Sequence, residues 1–126
     1  MLNKVILIGN LGKAPEFKTI SDKARVAEFS LATSFSKKDQ SGNWNSETEW
    51  HSVKCWNFLA DRAQNFEKGD TVHVEGRIST RKWQDKEGKD RYTTEIIATD
   101  VSRKKKSNPD SGASKSVSSG GGDLPF

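Results

Sequence analysis

The chain has 126 residues, 32% of them hydrophobic, and 21 basic against 17 acidic side chains give it a formal charge of +4. Its longest aliphatic run, Val5-Ile6-Leu7-Ile8, falls far short of the roughly 20 residues of a membrane helix and is too short for a secretory leader. One cysteine and two histidines exclude a disulfide framework and an all-cysteine metal site, so the expectation is one soluble, cytoplasmic domain.

In chain order, Val5 to Ile8 opens a first strand that the Gly9-Asn10-Leu11-Gly12 turn ends, and Pro15 bends the chain before Glu16 to Ile20. Arg25 to Thr33 alternates Ala27, Phe29 and Leu31 against Val26, Glu28 and Ser30, the period of a half-buried strand. A long loop is expected at Ser36–Ser46. Glu49 to Trp56 alternates again: Trp50, Ser52, Lys54 and Trp56 share one face, His51, Val53 and Cys55 the other.

Helical spacing follows in Asn57 to Lys68, with Phe58, Leu59, Ala63 and Phe66 on one side, Asn57 as cap and Gly69 as stop. Thr71 to Trp83 then points Val72, Val74, Ile78 and Thr80 one way. His73, Glu75, Arg77, Ser79, Arg81 and Trp83 point the other way. A second loop, Gln84–Asp90, with its turn at Asp85–Lys89, leads into a last strand, Arg91 to Val101. Three strands, a short helix and two strands suit an all-β, five-stranded Greek-key barrel of the OB type, a fold whose central strands and loops bind oligonucleotides.

The composition shifts at Arg103. Residues 1–102 hold 16 basic and 15 acidic side chains, 103–106 add four positive charges, and Lys115 stands against Asp110 and Asp123 beyond them. The folded domain is therefore expected to be nearly neutral and to end at 102. Residues 103–122 read as a flexible linker, basic at first and then Ser/Gly-rich. Asp123-Leu124-Pro125-Phe126 places apolar groups at the end of that linker.

The chemistry lies in the tryptophans. Core rings normally share a face with aliphatics, whereas Trp50 and Trp56 sit beside Ser52 and Lys54, and Trp83 beside Arg77 and Arg81. Flat rings among cations suit unpaired bases, which stack for roughly 1–3 kcal/mol each while Lys and Arg follow the phosphates. The alternative is a ring face that covers the sheet or a protein contact. Nothing resembles a duplex-reading helix; single-stranded RNA and a primosomal role stay open.

Other signals are set aside. His51 and Cys55 stand about 13 Å apart along a strand, too far to share a metal, and Cys55 reads as a core residue. Gly9–Gly12 lacks the Gly-Lys-Ser/Thr of a phosphate loop. The acids Asp61, Glu67, Asp70, Asp85 and Glu87 form no spaced pair or cluster for nuclease chemistry. No enzyme, cofactor or metal is expected.

Val5–Gly12 with Pro15, Thr48-Glu49-Trp50-His51, Gly76–Trp83 and Asp90–Glu95 together resemble the bacterial single-stranded DNA-binding protein (SSB) family. The resemblance spans nearly all of 1–101, and the terminal Asp-Leu-Pro-Phe adds a second signature. It implies a homotetramer that binds and protects single-stranded DNA in replication, recombination and repair, in the bacterial cytoplasm on the nucleoid. On the matching positions it implies stacking by Trp50, Trp56 (where Phe is more usual) and Trp83, and basic positions at Lys68 and Lys82. A further family aromatic falls at Lys37, with Phe35 or Trp44 as its replacement. Lys37, Lys54, Arg77 and Arg81 complete the expected phosphate contacts. His51 matches a tetramer contact, and Asp123, Leu124, Pro125 and Phe126 a tip that captures genome-maintenance proteins. The tip carries a single acid after Gly120-Gly121-Gly122, fewer than the family usually places there.

Overall fold

The computed structural model describes residues 1–106; the expected tip, Asp123–Phe126, and residues 107–122 lie outside them. The elements are β1 (Val5–Leu11), β2 (Glu16–Ser21), β3 (Ala24–Lys38), β4 (Trp44–Trp56), α1 (Phe58–Ala63), β5 (Thr71–Gln84) and β6 (Asp90–Lys105). The strands pair in the order β1-β5-β6-β4-β3-β2, and a β1–β3 pairing at Asn10–Ala32 and Leu11–Leu31 closes the sheet on itself. Among the described residues only β4 and β6 pair in parallel, through Val53–Ile96 and Lys54–Ile97.

β1 and β2 are the two halves of one strand broken around Pro15: β1 lies along β5, and β2 continues along β3. Counted so, the fold is the expected closed five-stranded barrel, with its helix between the third and fourth strands. Closure brings backbones close. A Cβ on Gly9 would lie 2.2 Å from the carbonyl oxygen of Ala32, so only glycine fits there.

Alternation fills the barrel. Ala27, Phe29 and Leu31 of β3, Val53 and Cys55 of β4, Val72 and Val74 of β5 and Ile96 and Ala98 of β6 form the core with Leu59, Ala60, Ala63 and Phe66. Burial pushes the Cys55 thiol up to about 12, in keeping with a packing role.

Several expectations need correcting. Ser36–Ser46 is not a long loop, and the second loop shrinks to the expected turn at Asp85–Lys89. β3 and β4 stay paired out to Lys38–Trp44, and β5 and β6 to Gln84–Asp90, so five-residue turns cap two hairpin arms. Both faces of a two-stranded ribbon meet water, so no apolar alternation is needed to form it. Ile78 keeps its predicted side of β5, but it lies where the arm leaves the barrel and is 49% exposed.

α1 is shorter than Asn57–Lys68, and Phe58 is exposed with the Arg62 guanidinium 6.0 Å from its ring centre. Asn57 caps nothing with its side chain; its Oδ1 accepts the Arg25 amide at 3.1 Å instead. Nor does the folded chain end at 102, because β6 runs to Lys105. Arg103, expected to be a solvated linker residue, donates from Nε to buried Asp70 at 2.9 Å and from its terminal nitrogen to the Asn65 carbonyl.

Candidate nucleic-acid interface

Residues opposite one another in neighbouring strands point to the same side of a sheet. Across β3 and β4 the pairs are Val26–Trp56, Glu28–Lys54, Ser30–Ser52 and Ala32–Trp50. Across β5 and β6 they are Arg77–Ile97, Ser79–Glu95, Arg81–Thr93 and Trp83–Arg91. The Lys54–Ile97 register joins the two sets. Trp50, Lys54, Trp56, Arg77, Arg81 and Trp83 therefore occupy one outer face spanning four strands, opposite the core.

The rings on this face are held differently. Trp50 is 57% exposed, and its six-membered ring lies over Gly12, where a Cβ would come within 2.7 Å of it. Trp83 is 43% exposed and donates from Nε1 to Thr93 Oγ1 at 2.8 Å, which fixes the ring along the arm. Trp56 is 39% exposed and stands opposite Val26, which is buried although it lies on the outer side; this ring also covers the sheet. Trp44, 68% exposed, shares the parity of Trp50 and Trp56, so β4 carries a tryptophan on this side at every sixth position, about 20 Å apart at the usual rise. Phe35, opposite Glu47, faces the reverse side of the arm. Beside Trp50, a cleft of about 320 Å³ is lined by Ser52, Ile78, Thr94 and Glu95 where β4 and β6 diverge.

The expected phosphate contacts divide into two groups. Lys54 Nζ lies 3.5 Å from Glu28 Oε2 and 3.4 Å from Glu95 Oε2, and Arg81 Nε lies 3.3 Å from Glu95 Oε1. Lys82 pairs with Asp90 at 3.3 Å on the reverse of its arm, opposite Tyr92. Lys37, Lys68 and Arg77 are exposed and form no ion pair among the described residues. Lys37 is on the reverse of the β3–β4 arm and Lys68 on the turn after α1, so only Arg77 of these three shares the tryptophan face. His51 lies on the other side of β4, half-buried, with Nε2 2.9 Å from Thr33 Oγ1.

Sequence reading missed Gly12, Thr93, Glu28 and Glu95, whose parts depend on cross-strand register. Asp39–Asn43 and Asp85–Lys89 share an Asp-x-x-Gly pattern that could have shown both turns, although only the second is read as one from the sequence. Among the described residues no group of three or more His, Cys, Asp or Glu side chains could hold a metal ion, and no helix is long and apolar enough to cross a membrane.

Residues 2–104 match the model of the single-strand binding protein family. The chain belongs to that family. It is 48% identical over 102 residues to single-stranded DNA-binding protein 1 of Chlorobaculum tepidum, a match covering 79% of this chain and 63% of that relative's length. Among solved structures it resembles the Plasmodium falciparum SSB in complex with ssDNA, with a TM-score of 0.74 and 33% identity over 82% of this chain and 95% of that one. A deletion mutant of the single-stranded DNA-binding protein from Thermus aquaticus is similar with a TM-score of 0.71 and 26% identity, covering 81% of this chain and 50% of the other.

Proposed function

We propose that this chain binds single-stranded DNA without regard to sequence and protects it during replication, recombination and repair. The observation that carries this reading is the single outer face on which β4 and β5 present Trp50, Trp56 and Trp83 beside Arg77. Exposed indoles on a polar sheet face offer every base the same stacking surface, which favours affinity without readout. Family membership supports the same conclusion. Trp44 is the better of the two candidates for an added stacking ring, since Phe35 faces away from Trp50. Phosphates follow Arg77, Lys37 and Lys68, while Lys54, Arg81 and Lys82 meet the strand with carboxylate partners in place. The protein binds and does not catalyse.

Assembly into a homotetramer belongs to the same proposal. From Val5 to Ile8, β1 pairs with β5 on one edge and with no described strand on the other, and Ile6 is 57% exposed. An open strand edge with an apolar side chain suits pairing with a second copy, with His51 as a further contact. Asp123–Phe126 is the segment proposed to capture genome-maintenance proteins, Phe126 entering an apolar pocket and Pro125 limiting the unbound states. The working compartment is the bacterial cytoplasm, on the nucleoid.

Tryptophan emission titrated with oligo-dT at several salt concentrations tests the central claim. Strong quenching is expected, with log affinity falling against log salt by about 0.7 per neutralised phosphate. Unchanged emission at saturating oligonucleotide overturns it, and preferential displacement by oligo-U would turn the reading to RNA. Sedimentation of the same sample should give the mass of four chains; a monomer rejects the assembly. Removing Leu124–Phe126 should leave the titration unaltered and abolish partner capture, and undiminished capture rejects the tip's role.

A further inference from the structure

The centre of the tryptophan face carries as many negative charges as positive ones. Glu95 is buried, and each of its oxygens meets a different cation: Oε2 meets Lys54 at 3.4 Å and Oε1 meets Arg81 at 3.3 Å. Glu28 adds a second carboxylate 3.5 Å from Lys54. The Lys54 side chain is only 18% exposed, so its ammonium is enclosed among its partners and not extended into solvent. Two cations and two carboxylates leave this cluster, set among the strands that carry Trp50, Trp56 and Trp83, with no net charge.

We propose that Glu95 is the built-in counterion of the DNA-binding face, a positioning residue occupying the place at Lys54 and Arg81 that a phosphate would otherwise take. This inference rests on the reading of that face as the single-strand site. Its consequence is a division of labour. The centre of the face holds bases by stacking, which salt barely affects, while phosphates are held by cations outside the cluster. Binding is weaker and less salt-dependent than the number of Lys and Arg residues on the sheet implies. It also explains why Lys54, a cation between two tryptophans in sequence, is a brace across β3, β4 and β6 and not a free phosphate ligand.

The test compares Glu95→Gln, Glu28→Gln and the double variant with the wild-type chain in oligo-dT titrations at 50 and 200 mM salt. Each lost carboxylate frees about one positive charge, so each single variant should bind more tightly and steepen the log affinity–log salt slope by about 0.7. The double variant should add about 1.4, which makes its gain roughly sevenfold larger at the lower salt. Asp22→Asn, an exposed acid in the β2–β3 turn, controls for overall charge and should leave the slope alone. Unchanged slopes in variants that still quench overturn the counterion role, as does equal steepening in Asp22→Asn. Glu28 is 40% exposed, so its variant keeps the test decisive if Glu95→Gln unfolds. A wild-type chain that shows no quenching defeats the single-strand reading itself and this inference with it.

Discussion

The β3–β4 arm turns through Asp39-Gln40-Ser41-Gly42-Asn43 and the β5–β6 arm through Asp85-Lys86-Glu87-Gly88-Lys89. In each, the aspartate exchanges backbone hydrogen bonds with residues three and four positions on, and its Oδ1 accepts two further amides. Gly42 and Gly88 take φ of 89° and 81°, the left-handed conformation this turn requires. The turns match, but the rings they carry do not. Trp83 is tied to Thr93 across its arm, whereas Trp44 makes no side-chain hydrogen bond among the described residues and has the Lys38 ammonium 6.0 Å from its ring centre. One backbone device thus serves a preset ring on one arm and a loosely held ring on the other. A preset ring binds without first losing rotamer freedom, so equal exposure need not mean equal contribution.

The largest separation between the arms should come from removing the rings. Trp83→Ala is expected to weaken oligo-dT binding by about 1–3 kcal/mol, the usual worth of one stacked base, and Trp44→Ala by less than about 1 kcal/mol on the same scale. Equal losses in fluorescence or calorimetric titrations would abolish the distinction drawn between them.

A smaller change should make the two rings alike. Thr93→Val removes the acceptor for Trp83 Nε1 while keeping the side chain's shape. It should cost about 0.5–1.5 kcal/mol of binding, the net value of one hydrogen bond. The indole N–H resonance of Trp83 should broaden as it does so. A sharp, unshifted resonance with full affinity would show that packing alone fixes the ring.

The smallest effect separates the turns by pH and salt. The Asn43 amide first, then the Asn45 side chain and the Ser41 and Gly42 amides, hold the Asp39 carboxyl below the usual range. The Lys89 amide first, then the Arg91 guanidinium and the Glu87 amide, do the same for Asp85. A carboxylate lowered in the folded state contributes stability that is complete above its unfolded pKa and is lost as pH falls through the folded one. Both turns should therefore stay closed at neutral pH and loosen only below about pH 4, where free aspartate already titrates. Amide shifts of Asn43 and Lys89 followed against pH would report this. Added salt should raise the Lys89 midpoint, where a cation contributes, and spare that of Asn43. Identical salt responses would remove this difference between the arms.

Much of the barrel and its tryptophan face was legible because both follow from a period of two. Phe29, Val53 and Val74 alternate inward, so Trp50, Trp56 and Trp83 had to point outward, and the register then placed them on one surface. The β5–β6 arm was legible as strands Thr71–Trp83 and Arg91–Val101, whereas the β3–β4 arm was not, since a ribbon wet on both sides imposes no apolar pattern. The ion pairs of Lys54 were not legible because its own strand contains neither Glu28 nor Glu95. Arg103 looked like the start of a tail because it opens a basic run, while its carboxylate partner lies far back in the chain.

That last contact gives the polypeptide a fixed exit. Arg103 fastens the end of β6 to Asp70 and to the Asn65 carbonyl, and its guanidinium lies 5.8 Å from the Phe66 ring centre. The described chain therefore ends at one corner of the barrel, beside the turn after α1.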